Sequence, residues 1–292
     1  MTAFLVIFET GLSLGAMYAA ASIALSLVWG SIGMLNMALG AMLAIGGYAS
    51  FAAVEYLSLP WWLGFPAALI VGFVAGGVLY FITVKWMYRV PTFDTSIVIA
   101  TVGVAIVIEN LLVKIFTAYA KKQPFLVDHG ILMGSVTMRY QSLVNLGIAL
   151  VIMAILAWAL NKTRAGTAIL AVAQDRDAAQ LMGVPVERVF LQVLVIAGVI
   201  AAASGVLLTA VIPMSPYVGH EPLLKAFIIC VIAGLGNLPA AFVASFVLGW
   251  FEAAVSYGAG ARYGFPAMLV LVIFVLLWKP YGVFGRRKVT RV

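Results

Sequence analysis

Apolar residues run along nearly the whole chain, in blocks of about twenty separated by short polar turns. Blocks at roughly 3–29, 35–57, 62–84, 95–117, 142–160, 189–212, 238–257 and 263–280 are long enough to cross about 30 Å of hydrocarbon as helices rising 1.5 Å per residue. The block at 223–236 is too short for that. It reads as a re-entrant or broken helix, which is tolerated where protein surrounds it. The pattern predicts an all-α, polytopic transmembrane helix bundle of about eight spans plus one short helix, in a single membrane domain over residues 1–292.

One long polar interruption breaks this rhythm, from Lys162 to Arg188. Thr167 is placed to cap a helix beginning near Ala168. Ile169, Val172, Ala173, Arg176, Ala179, Gln180 and Gly183 then recur at helical spacing, with Gln174, Asp175 and Asp177 off that face. Gly183 suits the left-handed position after a helix, and Pro185 blocks continuation. The pattern predicts one capped helix of about four turns near the membrane surface. Spacing alone supports two uses equally: an interfacial anchor for the bundle, or a handle gripped by something in the water.

Composition sharpens the class. Hydrophobic residues make up 65% of the chain and charged residues 9%, with a mean hydropathy of +1.15, against about 25% charged in soluble domains. No stretch remains for a soluble catalytic domain. The single cysteine, Cys230, excludes an internal disulfide or a thiolate cluster, and reads as a small buried hydrophobe. The net charge of +7 marks the cytoplasmic side of a membrane protein and does not require nucleic acid.

Charge also predicts orientation. With Arg286-Arg287-Lys288 cytoplasmic, counting back puts the 162–188 loop and the 85–94 turn on the same side. Eleven of the 17 basic residues then lie inside: two in the turn, four in the loop and five in the tail. The N-terminus lies outside. No Lys or Arg precedes Lys85, so the first block lacks the basic region of a cleaved signal and reads as a retained span. Lys121, Lys122 and Arg139 fall outside, against the trend.

The chain also hints at duplication. Pro66-Ala67-Ala68 and Pro239-Ala240-Ala241 each open a span, and Phe73, Val74 and Gly76 match Phe246, Val247 and Gly249 at the same offset. The two spans run in opposite directions, as in the inverted repeats of transporters. Apolar helices also match by chance.

Polar groups inside the spans are the candidates for a path. Glu109 and Asn110 sit in the fourth span, and Glu252 in the one at 238–257. Asn36 lies at a break flanked by Gly30, Gly33 and Gly40. An ionisable group in hydrocarbon costs a few kcal/mol on insertion scales, so it faces the bundle interior or a water-filled cavity. Each of these residues has a functional reading, as a polar path or gate, and a structural one, as an interhelical hydrogen bond. Thr101 and Ser96 read as structural. His129 and His220 fall in outer loops without a second ligand at metal-site spacing and read as surface residues.

Resemblance separates the two uses of the loop. Asp177-Ala178-Ala179, three residues and Gly183 resemble the E-A-A-x-x-x-G signature of permeases of ABC importers, with Asp in place of Glu. The flanks Thr163-Arg164-Ala165-Gly166 and Ala171-Val172-Ala173-Gln174-Asp175 are similar to the branched-chain amino acid permeases of the LivH type. Gly11 to Ala19, Gly33 to Gly40, Gly234 to Ala240 and Lys279 to Gly285 agree, in the expected order. Two departures stand out. Leu39 replaces a His common in the family, and Glu109 replaces a Gln.

The resemblance implies a mechanism. Two permease subunits, often non-identical, form the pathway. Two cytoplasmic ATPase subunits grip the coupling loops, here through Arg176, Asp177, Ala178, Ala179 and Gly183. An external binding protein delivers the amino acid. Asn36, Glu109, Asn110 and Glu252 are the candidate path residues. The chain has no G-x-x-x-x-G-K-[ST] run, so ATP and magnesium belong to the partner ATPases and this chain carries no cofactor. The expected setting is a bacterial plasma membrane. Two rivals are an importer of urea, short amides or other small solutes, and a proton-driven secondary transporter using Glu109 and Glu252. The second would not need the polar loop. An intramembrane enzyme is disfavoured because the spans hold no His/Asp metal set and no convincing Ser/His pair.

Overall fold

The computed structural model describes residues 2–88, 93–124, 130–133 and 136–285. Arg89, His129 and the Arg286-Arg287-Lys288 tail lie outside them. Seven helices are long and apolar enough to cross a membrane: α1 (Thr2–Ile32), α3 (Trp61–Met87), α4 (Phe93–Phe116), α5 (Tyr140–Lys162), α8 (Val186–Thr209), α10 (Leu238–Gly258) and α11 (Ala261–Trp278). The apolar α2 (Leu39–Glu55) is shorter, at 17 residues, and α9 (His220–Ala233) has only 14. Each expected block thus holds a helix among the described residues, but seven of the eight expected spans reach spanning length, and the second, α2, is shorter than expected. Two further short helices, α6 (Arg164–Gln174) and α7 (Arg176–Leu181), form the polar loop. The 118–141 segment departs from the all-α expectation with a small antiparallel hairpin, β1 (Gly130–Met133) paired with β2 (Val136–Arg139).

α1 is the central helix, buried along most of its length. It packs most extensively on α10 and then on α8, and also touches α5 and α9. The order long–short–long appears twice, as α1–α2–α3 and as α8–α9–α10, and the outer members cross over. α1 lies on α10, and α3 lies on α8. Both contacts use small residues, because lipid supplies no hydrophobic drive and backbones must approach closely to gain dispersion. Gly249 of α10 faces Gly11 and Gly15 of α1, and Gly76 of α3 faces Leu194 and Gly198 of α8. Gly76 and Gly249 are one of the pairs matched between the two Pro-Ala-Ala segments, so the weak sequence repeat coincides with equivalent packing positions.

A side chain at Gly249 would lie 2.6 Å from the Gly15 nitrogen, where only backbone could give way. Gly249→Val is therefore expected to destabilise the bundle by about 2–3 kcal/mol. Gly103→Ala, on α4 with nothing within 4 Å, should leave thermal unfolding in detergent unchanged or slightly improved. Equal melting of the two variants would contradict this packing account.

The connections gather at two ends. At one, a cleft of about 570 Å³ is lined by Asn161 and Leu170 beside the polar loop, by the 234–239 turn, and by Phe284 and Gly285 of the tail. Val283 N–H donates to the Ile232 carbonyl at 2.7 Å and the Asn237 amide to the Phe284 carbonyl at 3.4 Å, so the 234–240 and 279–285 segments are physically joined. At the other end, Lys121 exchanges backbone hydrogen bonds of 2.8 and 2.9 Å with Met214. Its ammonium donates to the Tyr56 hydroxyl and sits 5.1 Å from the Phe51 ring and 5.9 Å from the Phe116 ring. This local satisfaction explains why a lysine is tolerated on the side expected to be poor in basic residues.

Candidate functional site

The polar loop is built by caps, though in a different place from the one its periodicity suggests. Thr163, not Thr167, is the N-cap. Its hydroxyl accepts the Gly166 N–H at 3.0 Å, and α6 begins at Arg164. The expected single helix is also two. Asp175 is extended, at φ −153° and ψ 110°, and its carboxylate accepts the Ala178 N–H at 2.9 Å. A short acidic side chain that offers the backbone a local acceptor ends one helix and starts the next.

The far end agrees with expectation. Gly183 has φ +84°. Its N–H donates to Gln180 and the Val184 N–H donates to Ala179, both at 3.0 Å. This is the paired closure that a left-handed residue allows. No atom would crowd a side chain at Gly183, so its backbone angle, not space, favours glycine there.

The five coupling candidates then separate. Ala179 is buried against the bundle. The Arg176 guanidinium lies 4.9 Å from the Tyr88 ring and 5.1 Å from the Phe190 ring, and donates to the Tyr88 carbonyl at 3.4 Å. It clamps α7 to the membrane helices. Asp177, Ala178 and Gly183 are exposed. Beside them Leu181 and Met182 are 88% and 85% exposed. Leu181 and Met182 thus form an exposed apolar tip on a capped turn, left uncovered by the bundle. Periodicity did not single these two residues out, because they fall off the apolar face.

Inside the bundle, the four path candidates take different positions. Glu109 is buried, and its Oε1 lies 2.9 Å from Nε2 of His220. His220 is therefore no plain loop residue: it opens α9 and pairs with α4. Asn110, next to Glu109, is exposed and donates to its own helix at Ile106, 2.7 Å away. Asn36 is buried at the start of α2. Its Oδ1 accepts the Ala38 N–H at 3.0 Å, while its amide nitrogen has no partner. Thr101 accepts the Met37 N–H at 3.2 Å and donates to Val98, which bears out its structural reading.

Glu252 belongs to a second cluster. Lys225 of α9 donates to Glu252 Oε1 at 2.6 Å and to the Tyr18 hydroxyl at 2.8 Å, and Tyr18 donates to Glu252 Oε2 at 2.9 Å. Glu221, one turn earlier on α9, adds a contact of 2.7 Å to Lys225. This buried group ties α1, α9 and α10 together. Lys225 was missed because it sits in an otherwise apolar run. The signal available was Glu221 four residues before it, at the spacing of a helical ion pair. Cys230 is buried and donates to the Ser22 carbonyl. Among the described residues no group of three metal-ligating side chains occurs.

Residues 7–278 match the family described as the permease component of the branched-chain amino acid transport system. The chain belongs to this permease family. It is 30% identical to the high-affinity branched-chain amino acid transport system permease protein LivH of Salmonella typhimurium, over 97% of this chain and 96% of that protein. It is 29% identical to LivH of Escherichia coli K12 over the same shares. It is 28% identical to BraD of Pseudomonas aeruginosa, again over 97% and 96%. The permease is thus an integral membrane transport subunit of the ABC transporter class, not an enzyme. Leu39 is the first residue of α2, and Glu109 lies on α4.

Proposed function

We propose that this permease is one of two membrane subunits of an ATP-driven importer of branched-chain amino acids in a bacterial plasma membrane. The relatives' names carry that cargo, and the match runs nearly end to end. The second membrane subunit is a non-identical relative. Two cytoplasmic ATPases bind ATP and magnesium and grip the polar loop. An external binding protein hands over the amino acid. The path runs between the two membrane subunits past Asn36, Glu109 and the outward-facing Asn110, and Glu252 holds the path's wall in place through Lys225.

The observation that carries this reading is the polar loop. Its caps at Thr163 and Asp175, the Arg176 clamp and the Gly183 closure hold Leu181 and Met182 outside the bundle as a rigid handle. A handle fixed to the start of α8 transmits a push from below into the bundle core, since α8 packs on α1, α2 and α3. The excess of Lys and Arg in the 85–94 turn, the loop and the tail supports a cytoplasmic side for that end.

Reconstitution with the partner ATPases and binding protein tests it. Uptake of labelled leucine into proteoliposomes is expected to require ATP on the side where a thiol reagent labels Asp175→Cys. Uptake driven by a proton gradient without ATP, or labelling from the opposite side, would overturn the reading.

A further inference from the structure

The two long–short–long units meet where their short helices begin. A side chain on Gly40, at the start of α2, would lie 2.9 Å from the carbonyl oxygen of Gly219, the residue before α9. In transporters built from repeats, substrate sites sit at such interfaces, where the N-terminal ends of interrupted helices favour anionic groups. His220 opens α9 at this junction. Its ring is 60% exposed, while the Glu109 carboxylate it touches is 9% exposed. Glu221, the neighbouring acid, is already engaged by Lys225, so Glu109 is the carboxylate open to exchange.

Two further polar groups on the same seam have no partner. The Asn36 amide nitrogen is buried in a residue 1% exposed, and the Tyr48 hydroxyl of α2 is also buried. α4 sets the order of these groups. Thr101, which accepts the Met37 N–H, and Phe116, whose ring is 4.7 Å from that of Tyr48, lie on the same buried face as Glu109. Helix rise puts Glu109 about 12 Å from Thr101 and about 10 Å from Phe116. The seam therefore holds one exchangeable carboxylate with an imidazole beside it, and an unspent donor on either side. A buried donor left unpaired costs about 1–3 kcal/mol, which an incoming acceptor relieves.

The complement of that arrangement is a small solute carrying a cation and an anion on adjacent atoms. We propose that Glu109 and His220 form a transient station for the zwitterionic head of an α-amino acid. The ammonium takes the Glu109 carboxylate, and the substrate carboxylate takes the His220 Nε2–H. The solute's ammonium and carboxylate each then face a partner, so neither is left unpaired as it passes. The Asn36 amide and the Tyr48 hydroxyl are the next acceptor-seeking groups along the seam. This assignment rests on the importer reading above.

Glu109→Gln separates the station from a structural tie, because a glutamine oxygen still accepts from His220 but carries no charge. Glu109 stands where the family pattern has Gln, so the station is particular to this chain; in the complete reconstituted importer, Glu109→Gln is expected to lower the maximal rate of leucine uptake at least fivefold. Co-purification of the ATPases and the KM, which delivery by the binding protein governs, should not change. Glu109→Asp should keep at least half of the rate, and His220→Ala should lose as much as Glu109→Gln. A wild-type complex that carries leucine while Glu109→Gln stays within twofold of it would overturn the station alone. A wild-type complex that carries no zwitterionic amino acid would overturn the importer reading and the station together.

Discussion

Glu252→Ala is expected to cost the permease about 3–5 kcal/mol of stability, the range for removing one partner from a buried ion pair. The substitution leaves the Lys225 ammonium among α1, α9 and α10 with only the Tyr18 hydroxyl and the half-solvated Glu221 as neighbours. Desolvation that the 2.6 Å contact to Glu252 had offset is then met only in part, by the exposed Glu221 and the Tyr18 hydroxyl. The pair as a whole need not be stabilising. Lys225→Met together with Glu252→Leu removes both charges and should recover most of the loss. Thermal unfolding of the purified protein in detergent measures this. A single variant as stable as wild type, or a double variant no better than the single, would show that the cluster is not the tie described.

Leu181→Glu with Met182→Glu is expected to abolish coupling, lowering ATP-driven uptake at least a hundredfold and releasing the ATPases on purification. Both side chains are almost fully exposed, so the fold should change by less than about 0.5 kcal/mol. Placing carboxylates in an apolar contact carries the desolvation cost without a partner, several kcal/mol for the interface. Hundredfold corresponds to about 2.7 kcal/mol, well within that penalty. Unchanged co-purification and uptake would remove the loop's tip from the docking surface.

These two predictions concern groups of very different legibility. Hydropathy alone delimits the spans, because a bilayer forces every backbone group into a local helical bond and so turns membrane crossing into a property of consecutive residues. The same holds for the polar loop and its closure at Gly183, where a left-handed glycine and the following Pro185 act over a few positions. The break at Asp175 is local too, yet periodicity overlooked it. A competing side-chain acceptor outweighs helical spacing when the helices on either side are short.

Lys225 and His220 mark where local reading stops. Lys225 meets Glu252 across 27 residues and Tyr18 across 207. His220 meets Glu109 across 111 positions of chain. Nothing near either residue in the sequence announces its partner. Their pairing depends on how α1, α4, α9 and α10 pack, and that packing depends on backbone approach at glycines such as Gly40, Gly219 and Gly249. Hydrophobic length and turn chemistry therefore assign this chain to the membrane and shape its coupling loop. Which buried charges neutralise one another, and hence where a polar solute can pass, is settled only when distant helices close on each other, because an ion in hydrocarbon is stable only beside a partner in three dimensions.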